Sequence, residues 1–542
     1  MKRMRGFRIS QILPWCAGIP LILATWGYFL AYTSTEEASH LLDRVIVFSR
    51  ALYRAVAIYG ISVDESAMSK LGPGYWQLEA ARWLALLVTT SVFVNLLRMA
   101  TSRMVTQLRV LHRDAVTLHG DPGLLDRMRR ELGARAITGT MPERFRACTH
   151  ILAFESERAM YDYLVANHGA FFGDLGKRIY LCTLRAAYPT NRDAGIFVSN
   201  IAENCARLYW EERYLRKGEQ RIAIVGFEEY GERILAQALM VNVFRASREI
   251  RYVVYSDGAS FLSLHPGIAQ FISIGEEKPG WDALLFCAEP WEKCLDELAR
   301  ADRVIACHNS DEENLRLLDR LIERGATAQI DVRAINEELP RRLWSGDEAG
   351  IGVFGTEDRL YTLDVVMRET LLNRAKLIHA RYVRHVDGVV ETCERRRCDK
   401  RAAQCLNCDA YRKSWEALGP FKRGSNIAQA DHMSVKVREV LEEDGVPDEN
   451  TIRRFKRKYE EMTHSEKASL LAMEHDRWSR YLIFHGWTYA PVRDDAHKKH
   501  NLLVPYIRLS EDQWAKNGDA FEMVPEIFTL EKDAAFRKRH RA

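Results

Sequence analysis

The pattern of hydrophobic and polar positions changes character along the chain, and each change marks an element. From Gln11 to Ser34 there is no charged residue, and Leu, Ile, Trp, Phe and Tyr recur throughout. A run of that length crosses a hydrocarbon core of about 30 Å. A second apolar run, Trp83 to Leu97, lies between Arg82 and Arg98, whose long side chains can snorkel to the interface and extend it. These runs predict transmembrane helices over about 12–32 and 82–99. Between them Leu41, Leu42, Val45, Val47, Phe48, Leu52, Val56 and Ile58 form an apolar series with Arg44, Arg50 and Arg54 set among them. This series suits an interfacial helix, or a re-entrant one. Lys2, Arg3, Arg5 and Arg8 precede the first run, while Arg98, Arg103, Arg109 and Arg113 follow the second. Positive flanks at both outer ends place both termini on the cytoplasmic side. A signal peptide is the competing reading of the first run, but no A-x-A-like site follows it.

Beyond the second run the period becomes that of strands alternating with helices, which implies parallel sheets with right-handed crossovers. QRIAIVGFEEYGERILAQAL, starting at Gln220, reads as strand, glycine turn and helix. Further strands are expected at Ile250–Tyr255, Ala283–Cys287, Arg303–Cys307 and Ala328–Val332. A weaker copy starts at Asp114–Gly120, turns at Asp121–Gly123, continues as a helix over Leu124–Leu132, and resumes at Thr149–Phe154 and Arg178–Thr183.

The second copy resembles the dinucleotide-binding fingerprint G-x-G-x-x-G, with Gly226 and Gly231 in place and Glu228 where the middle glycine belongs. A carboxylate there repels the pyrophosphate that the glycine would admit. Asp257, after the second strand, is placed to bond a ribose hydroxyl. Degenerate glycine turns repeated behind two spans resemble the TrkA-type nucleotide-binding domains, RCK or KTN, over residues 105–385. That resemblance implies halves paired about a pseudo-twofold axis, NAD(H) or ATP/ADP as ligand, and control of potassium or other ion transport. The loss of nucleotide binding by one or both copies is the plainer alternative. Two spans with an intervening half-helix match the layout of ligand-gated potassium channels, but the TVGYG filter is absent and Tyr59-Gly60 is its only echo.

Near the end, LLAMEHDRWSRYLIFHGWTYAPVRDDAHKKHNLLVPYIRL spans residues 470–509. Leu470, Leu471, Trp478, Leu482 and Ile483 fall at helical spacing, and Gly486 stops the helix. Glu474-His475 with Trp478, Gly486-Trp487, Tyr489 and Leu503-Val504-Pro505-Tyr506 resemble the ryanodine-receptor repeat (RyR) domain. The resemblance implies a ligand-sensing or interaction module, with Glu474, His475, Trp478, Trp487, Tyr489 and Tyr506 as candidate ligand-binding residues. The bland reading makes Trp478, Trp487 and Tyr506 core.

Between these regions lie Cys393, Cys398, Cys405 and Cys408, spaced C-x4-C-x6-C-x2-C. Four thiolates suit tetrahedral zinc. The arginines and lysines around them would lower thiol pKa, which fits metal binding or redox chemistry, and unliganded cysteines remain an alternative. The cysteines at 16, 148, 182, 205, 287, 294 and 307 are scattered through apolar segments, as suits a reducing cytoplasm. Ser425 is the expected N-cap of a helix after a Gly-Pro break. With Trp415, Arg423, Asn426 and His432 it resembles the segment preceding the terminal repeat in bacterial relatives, and Arg423, Ser425 and Asn426 form a candidate anion site. Residues 440–468 are expected as solvated, charged helix.

A chain of 542 residues exceeds one core and divides into several units. The expected division is a membrane anchor (1–104), a degenerate Rossmann-like domain (105–215), a TrkA-type domain (216–385), a cysteine-bearing connector (386–460), an RyR-type domain (461–530) and a basic tail (531–542). The fold class is thus α/β: two N-terminal transmembrane helices, tandem doubly wound domains and a small α-helical module. With 78 basic and 74 acidic residues the net charge is +4, which gives no argument for nucleic acid. Hydride transfer needs a poised acid or base on a substrate domain. His308 and Asp311 are the only tempting groups, and Asp311 is more simply a helix cap, so no enzymatic role is expected. These readings converge on a homo-oligomeric regulatory protein of the bacterial inner membrane, contacting lipid, a nucleotide or other small ligand, and an ion transporter as partner. A membrane effector triggered by a nucleotide in stress or phage defence, and a passive scaffold, are the alternatives.

Overall fold

The computed structural model describes residues 9–33, 41–60, 76–110, 114–139, 142–173, 176–185, 191, 194–245, 248–343, 350–386 and 409–539. The chain divides into two compact units, Met1–His112 with Gly139–Arg146, and Arg113–Thr138 with Ala147–Ala542.

In the first unit, helices α1 (Ile9–Thr33), α2 (Leu41–Ala57) and α3 (Trp76–Val110) pack together. Their buried contacts are mostly small: Ala24, Ala51, Ala55, Ala81 and Ala85, with Tyr28, Ile58 and Leu78. A Cβ on Gly27 would come within 2.7 Å of Leu78, so α1 and α3 approach closely there. The large apolar side chains, among them Ile22, Trp26, Phe48, Leu52, Trp83, Leu87, Phe93 and Leu97, point outward. Small residues inside and large ones outside is how helices pack when lipid, not water, surrounds them. Among the described residues, α3 alone is long and apolar enough to cross a membrane, and α1 adds a shorter apolar stretch over Gly18–Thr33. The α3 helix runs past both ends of the apolar segment that predicts it.

The second unit holds two parallel sheets. β1 (Val116–Gly120), β2 (Ala136–Ile137), β3 (Thr149–Ala153), β4 (Arg178–Thr183) and β5 (Ile196–Asn200) lie in the order β2-β1-β3-β4-β5. β6 (Arg221–Val225), β7 (Arg251–Tyr255), β8 (Ser273–Ile274), β9 (Ala283–Phe286), β10 (Arg303–Ala306), β11 (Gln329–Arg333) and β12 (Ile351–Phe354) lie in the order β12-β11-β10-β6-β7-β9-β8. Every pairing in both sheets is parallel. Strands such as RIAIV, buried on both faces, suit such sheets because crossover helices cover them. The strands β2, β5, β8 and β12 add to those read from sequence. Helices α4 (Ile201–Glu212), which follows β5, and α5 (Glu229–Val241), which follows β6, pack on each other, and the Trp210 indole donates to the Ile234 carbonyl at 2.9 Å.

The C-terminal part is helical: α6 (Pro420–Asp431), α7 (Met433–Leu441), α8 (Glu449–Glu461), α9 (His464–Phe484), α10 (Glu511–Glu522) and α11 (Val524–Arg539). Two sequence expectations are corrected here. Ser425 is not an N-cap but lies inside α6, which starts at Pro420 behind Gly419 because proline's fixed φ suits the first helical position. Residues 440–468 are not one solvated helix: α7 ends at Leu441, and α8 buries Ile452, Phe455 and Tyr459 at helical spacing. A continuous core runs from both sheets to Tyr481, Leu482 and Trp487 beyond them, so α9 belongs to the same unit as the sheets.

Candidate functional site

The first candidate is the glycine turn between β6 and α5. It lies at the switch point where the chain leaves β6 with β7 on one side and β10 on the other, the usual position of a ligand crevice in such sheets. Gly226 has φ +91°, and a Cβ there would sit 2.3 Å from the His308 backbone nitrogen. Gly231 is needed for close approach too, since its Cβ would lie 2.0 Å from the Gly226 carbonyl oxygen. Glu228 is the N-cap residue of α5. Its carboxylate accepts from His308 Nδ1 and the Asn309 backbone N–H, both at 3.3 Å. The hydrogen bond from His308 holds Glu228 below the ordinary carboxylate range. Burial pushes Glu229 up, but Asn309 Nδ2, at 2.6 Å, and Arg185 outweigh it and hold this carboxyl low as well. Asp257 is exposed after β7 and caps the next turn, accepting from the Ala259 N–H at 3.1 Å. Asp311 is the first helical residue of Asp311–Glu323, not its cap, which is Ser310. Asp311 pairs with Arg333 at 3.3 Å and accepts from the Ile335 N–H.

The second candidate is the helical module. Thr463 and Glu466 close a capping box at the start of α9, and Gly486, at φ +82°, lies just past its end, as the sequence pattern predicts. On one side of α9 the His475 ring stacks on Trp478 with centroids 5.6 Å apart, and its Nε2 lies 2.7 Å from the Val504 carbonyl oxygen. Burial pushes the His475 imidazole down, so it is neutral near pH 7 and donates to that carbonyl. Trp478 meets His500 edge-on at 4.9 Å, Trp487 lies 6.0 Å from the same ring, and Tyr506 lies 6.2 Å from His475 and stacks on Trp514. Four of the six candidate residues, His475, Trp478, Trp487 and Tyr506, therefore belong to one aromatic chain, in which His500 bridges Trp487 to Trp478 and His475 carries it on to Tyr506. Tyr489 is exposed, on a short β13 strand (Thr488–Tyr489) paired in parallel with β14 (Lys499–His500), which sets it opposite His500.

Glu474 departs from this group. It is buried against α7, where Lys436 Nζ lies 2.8 Å from Oε2 and Arg477 grips both oxygens, at 2.7 and 3.0 Å. Burial alone would raise this carboxyl, but Arg477 and Lys436 hold it down at about 2. Burial pushes the Lys436 ammonium down to about 8 and His432, whose Nε2 bonds the Val243 carbonyl, well below the ordinary histidine value. Glu474 thus ties the module to the connector helices and does not share a pocket with His475 and Tyr489.

Sequence reasoning missed Lys436, Arg477, His500 and Trp514, and it singled out His432 without its place beside Glu474. It also missed the seat of the module on the sheet. The His265 ring stacks on Phe484 with centroids 3.9 Å apart, and Arg480 reaches Asp282 at 3.4 Å. Cys393, Cys398, Cys405 and Cys408 lie outside the described residues. The described cysteines, histidines and carboxylates form no group able to hold a metal ion.

No curated protein and no solved structure matches this chain. The RyR domain family model matches residues 457–528, from the last turn of α8 into α11, and so covers the aromatic group together with Glu474 and Arg477, but not Lys436 or His432.

Proposed function

We propose that this protein is a membrane-anchored ligand-sensing regulator, with the RyR-type module as its recognition element and the tandem α/β region as its relay. The observation that carries the reading is the seat of the module: the end of α9, next to the aromatic group, packs through Phe484 on His265 of the loop behind β7. A ligand that reorganised the aromatic group would therefore act on the sheet through a packed contact. It can shift an equilibrium only by preferring one of two states.

Support for a Rossmann-like, TrkA-type reading of the second half is its strand order. Taking β6 as first, β7, β9, β10, β11 and β12 fall in the order of a doubly wound dinucleotide fold. Support for a membrane anchor of α1 and α3 is the outward apolar surface of the first unit. The regulated event is ion permeability, potassium first, or the activity of a partner transporter in a bacterial inner membrane.

The test is potassium flux in vesicles carrying the full chain, with and without NAD+, NADH, ATP, ADP and cyclic nucleotides. A ligand-dependent change lost in Trp478→Phe and Tyr489→Ala is expected. Flux indifferent to every ligand, with no transporter co-purifying, would sink the reading.

A further inference from the structure

The crevice of the second α/β half has the geometry of a dinucleotide site but not its chemistry. In a dinucleotide site the helix N-terminus faces a pyrophosphate, and its unpaired N–H groups and dipole supply the attraction. Here α5 has Glu228 at its N-cap and Glu229 and Glu232 in its first turn. Glu228 is fixed across the turn by His308 and Asn309, and Glu229 by Asn309 and Arg185. The nucleoside end is filled as well. Gly258, after Asp257, lies against the Phe286 ring so closely that a Cβ would come within 2.3 Å of it. Phe227 and Phe261 close around the same ring, with centroids 5.8 and 6.5 Å away.

We propose that this crevice is occupied by the chain itself: the Glu228 carboxylate stands where a diphosphate would, and the Phe286 ring where a nucleoside would. The second half thereby keeps the conformation of a liganded dinucleotide fold and excludes nucleotides from the switch point. Phe261, beside Phe286, also touches His265 and Phe484, with centroids 4.9 and 6.3 Å away, so the filled crevice braces the seat of the helical module. The proposal holds whether or not the module is the recognition element.

Hydrogen–deuterium exchange on the full chain resolves the crevice from every other site. With NAD+ or ATP at millimolar concentration, wild-type peptides covering Val225–Glu232 and Cys307–Asn314 are expected to show no added protection. The same peptides in Glu228→Ala, and in Glu228→Ala with Phe286→Leu, are expected to become protected at least tenfold, while exchange in β11 stays that of the wild type. Glu228→Gln, which removes charge but keeps shape, separates repulsion from filling and guards against a variant that fails to fold. Nucleotide protection of these peptides in the wild type overturns the proposal. So does a folded set of variants in which none gains protection.

Discussion

At the scale of single residues, Glu474 shows what a linear pattern can and cannot say. The sequence sets it beside His475, but neighbours on a helix point about 100° apart at 3.6 residues per turn. His475 turns to Val504 and the tryptophans, and Glu474 to Lys436 on α7. The i, i+3 pair with Arg477 is encoded within 470–509, but only the position of α7 brings Lys436 to the same carboxylate. Glu474 is, among the described residues, the carboxylate paired with both buried cations, so Glu474→Gln is expected to destabilise the protein by about 3–5 kcal/mol in chemical denaturation. The cluster also fixes signs with pH. The Glu474 carboxyl sits at about 2 in the folded protein against 4.5 ordinarily, so its stabilisation is complete above about 4.5 and lost as pH falls toward 2. The Lys436 ammonium sits at about 8 against 10.5, so the unfolded chain binds the extra proton between these values. Stability from this group rises as pH climbs from about 8 toward 10.5. Denaturation midpoints of wild type against Lys436→Met should diverge in that window, and parallel curves would refute the buried ammonium.

At the scale of elements, what was legible followed burial and period. RIAIV announces itself as a short continuous apolar run, and α9 by the helical spacing of Leu470, Leu471, Trp478, Leu482 and Ile483. β2 and β8, two residues each, are too short to show a period, and β5 and β12 are short strands reached through glycines, Gly195 and Gly350, at positive φ. The glycine turn was readable as geometry and only half readable as chemistry. Its two glycines are where the fingerprint puts them, whereas the partners of Glu228 come from the loop after β10, some 80 residues on. The geometry makes its own prediction. Gly226→Ala combines positive φ with a contact of 2.3 Å against backbone, which must cost at least about 1–3 kcal/mol. A melting temperature within a degree of wild type would show that the turn is not as tight as described here.

At the scale of the whole molecule, the chain forms two compact units, the second of which holds both sheets and the helical module. The reason is the core: Tyr209 and Trp210 of α4, Ile234 and Leu235 of α5, and Tyr481 and Leu482 of α9 belong to one buried cluster, so the sheets and the seat of the helical module share an interior. Such sharing is invisible to composition, because an apolar face reads the same whether it packs on its own domain or on a neighbour. The alternation that predicts parallel sheets is a local signal and was legible, as were the apolar runs that form α1 and α3. The first unit keeps its large apolar side chains outside and its alanines inside, the arrangement on which the proposed membrane anchor rests.

The central claim is that recognition belongs to the helical module and not to the glycine turn, and binding-induced stabilisation tests it most directly, because a ligand held by the folded state raises its apparent stability. The measurement is the melting temperature of the full chain in lipid discs against NAD+, NADH, ATP, ADP and cyclic nucleotides, repeated in Trp478→Phe, Tyr489→Ala, Asp257→Ala and Glu228→Gln. A rise that survives Asp257→Ala and Glu228→Gln but is lost in Trp478→Phe and Tyr489→Ala is the predicted result. A rise lost in Asp257→Ala and kept in both module variants would contradict the account.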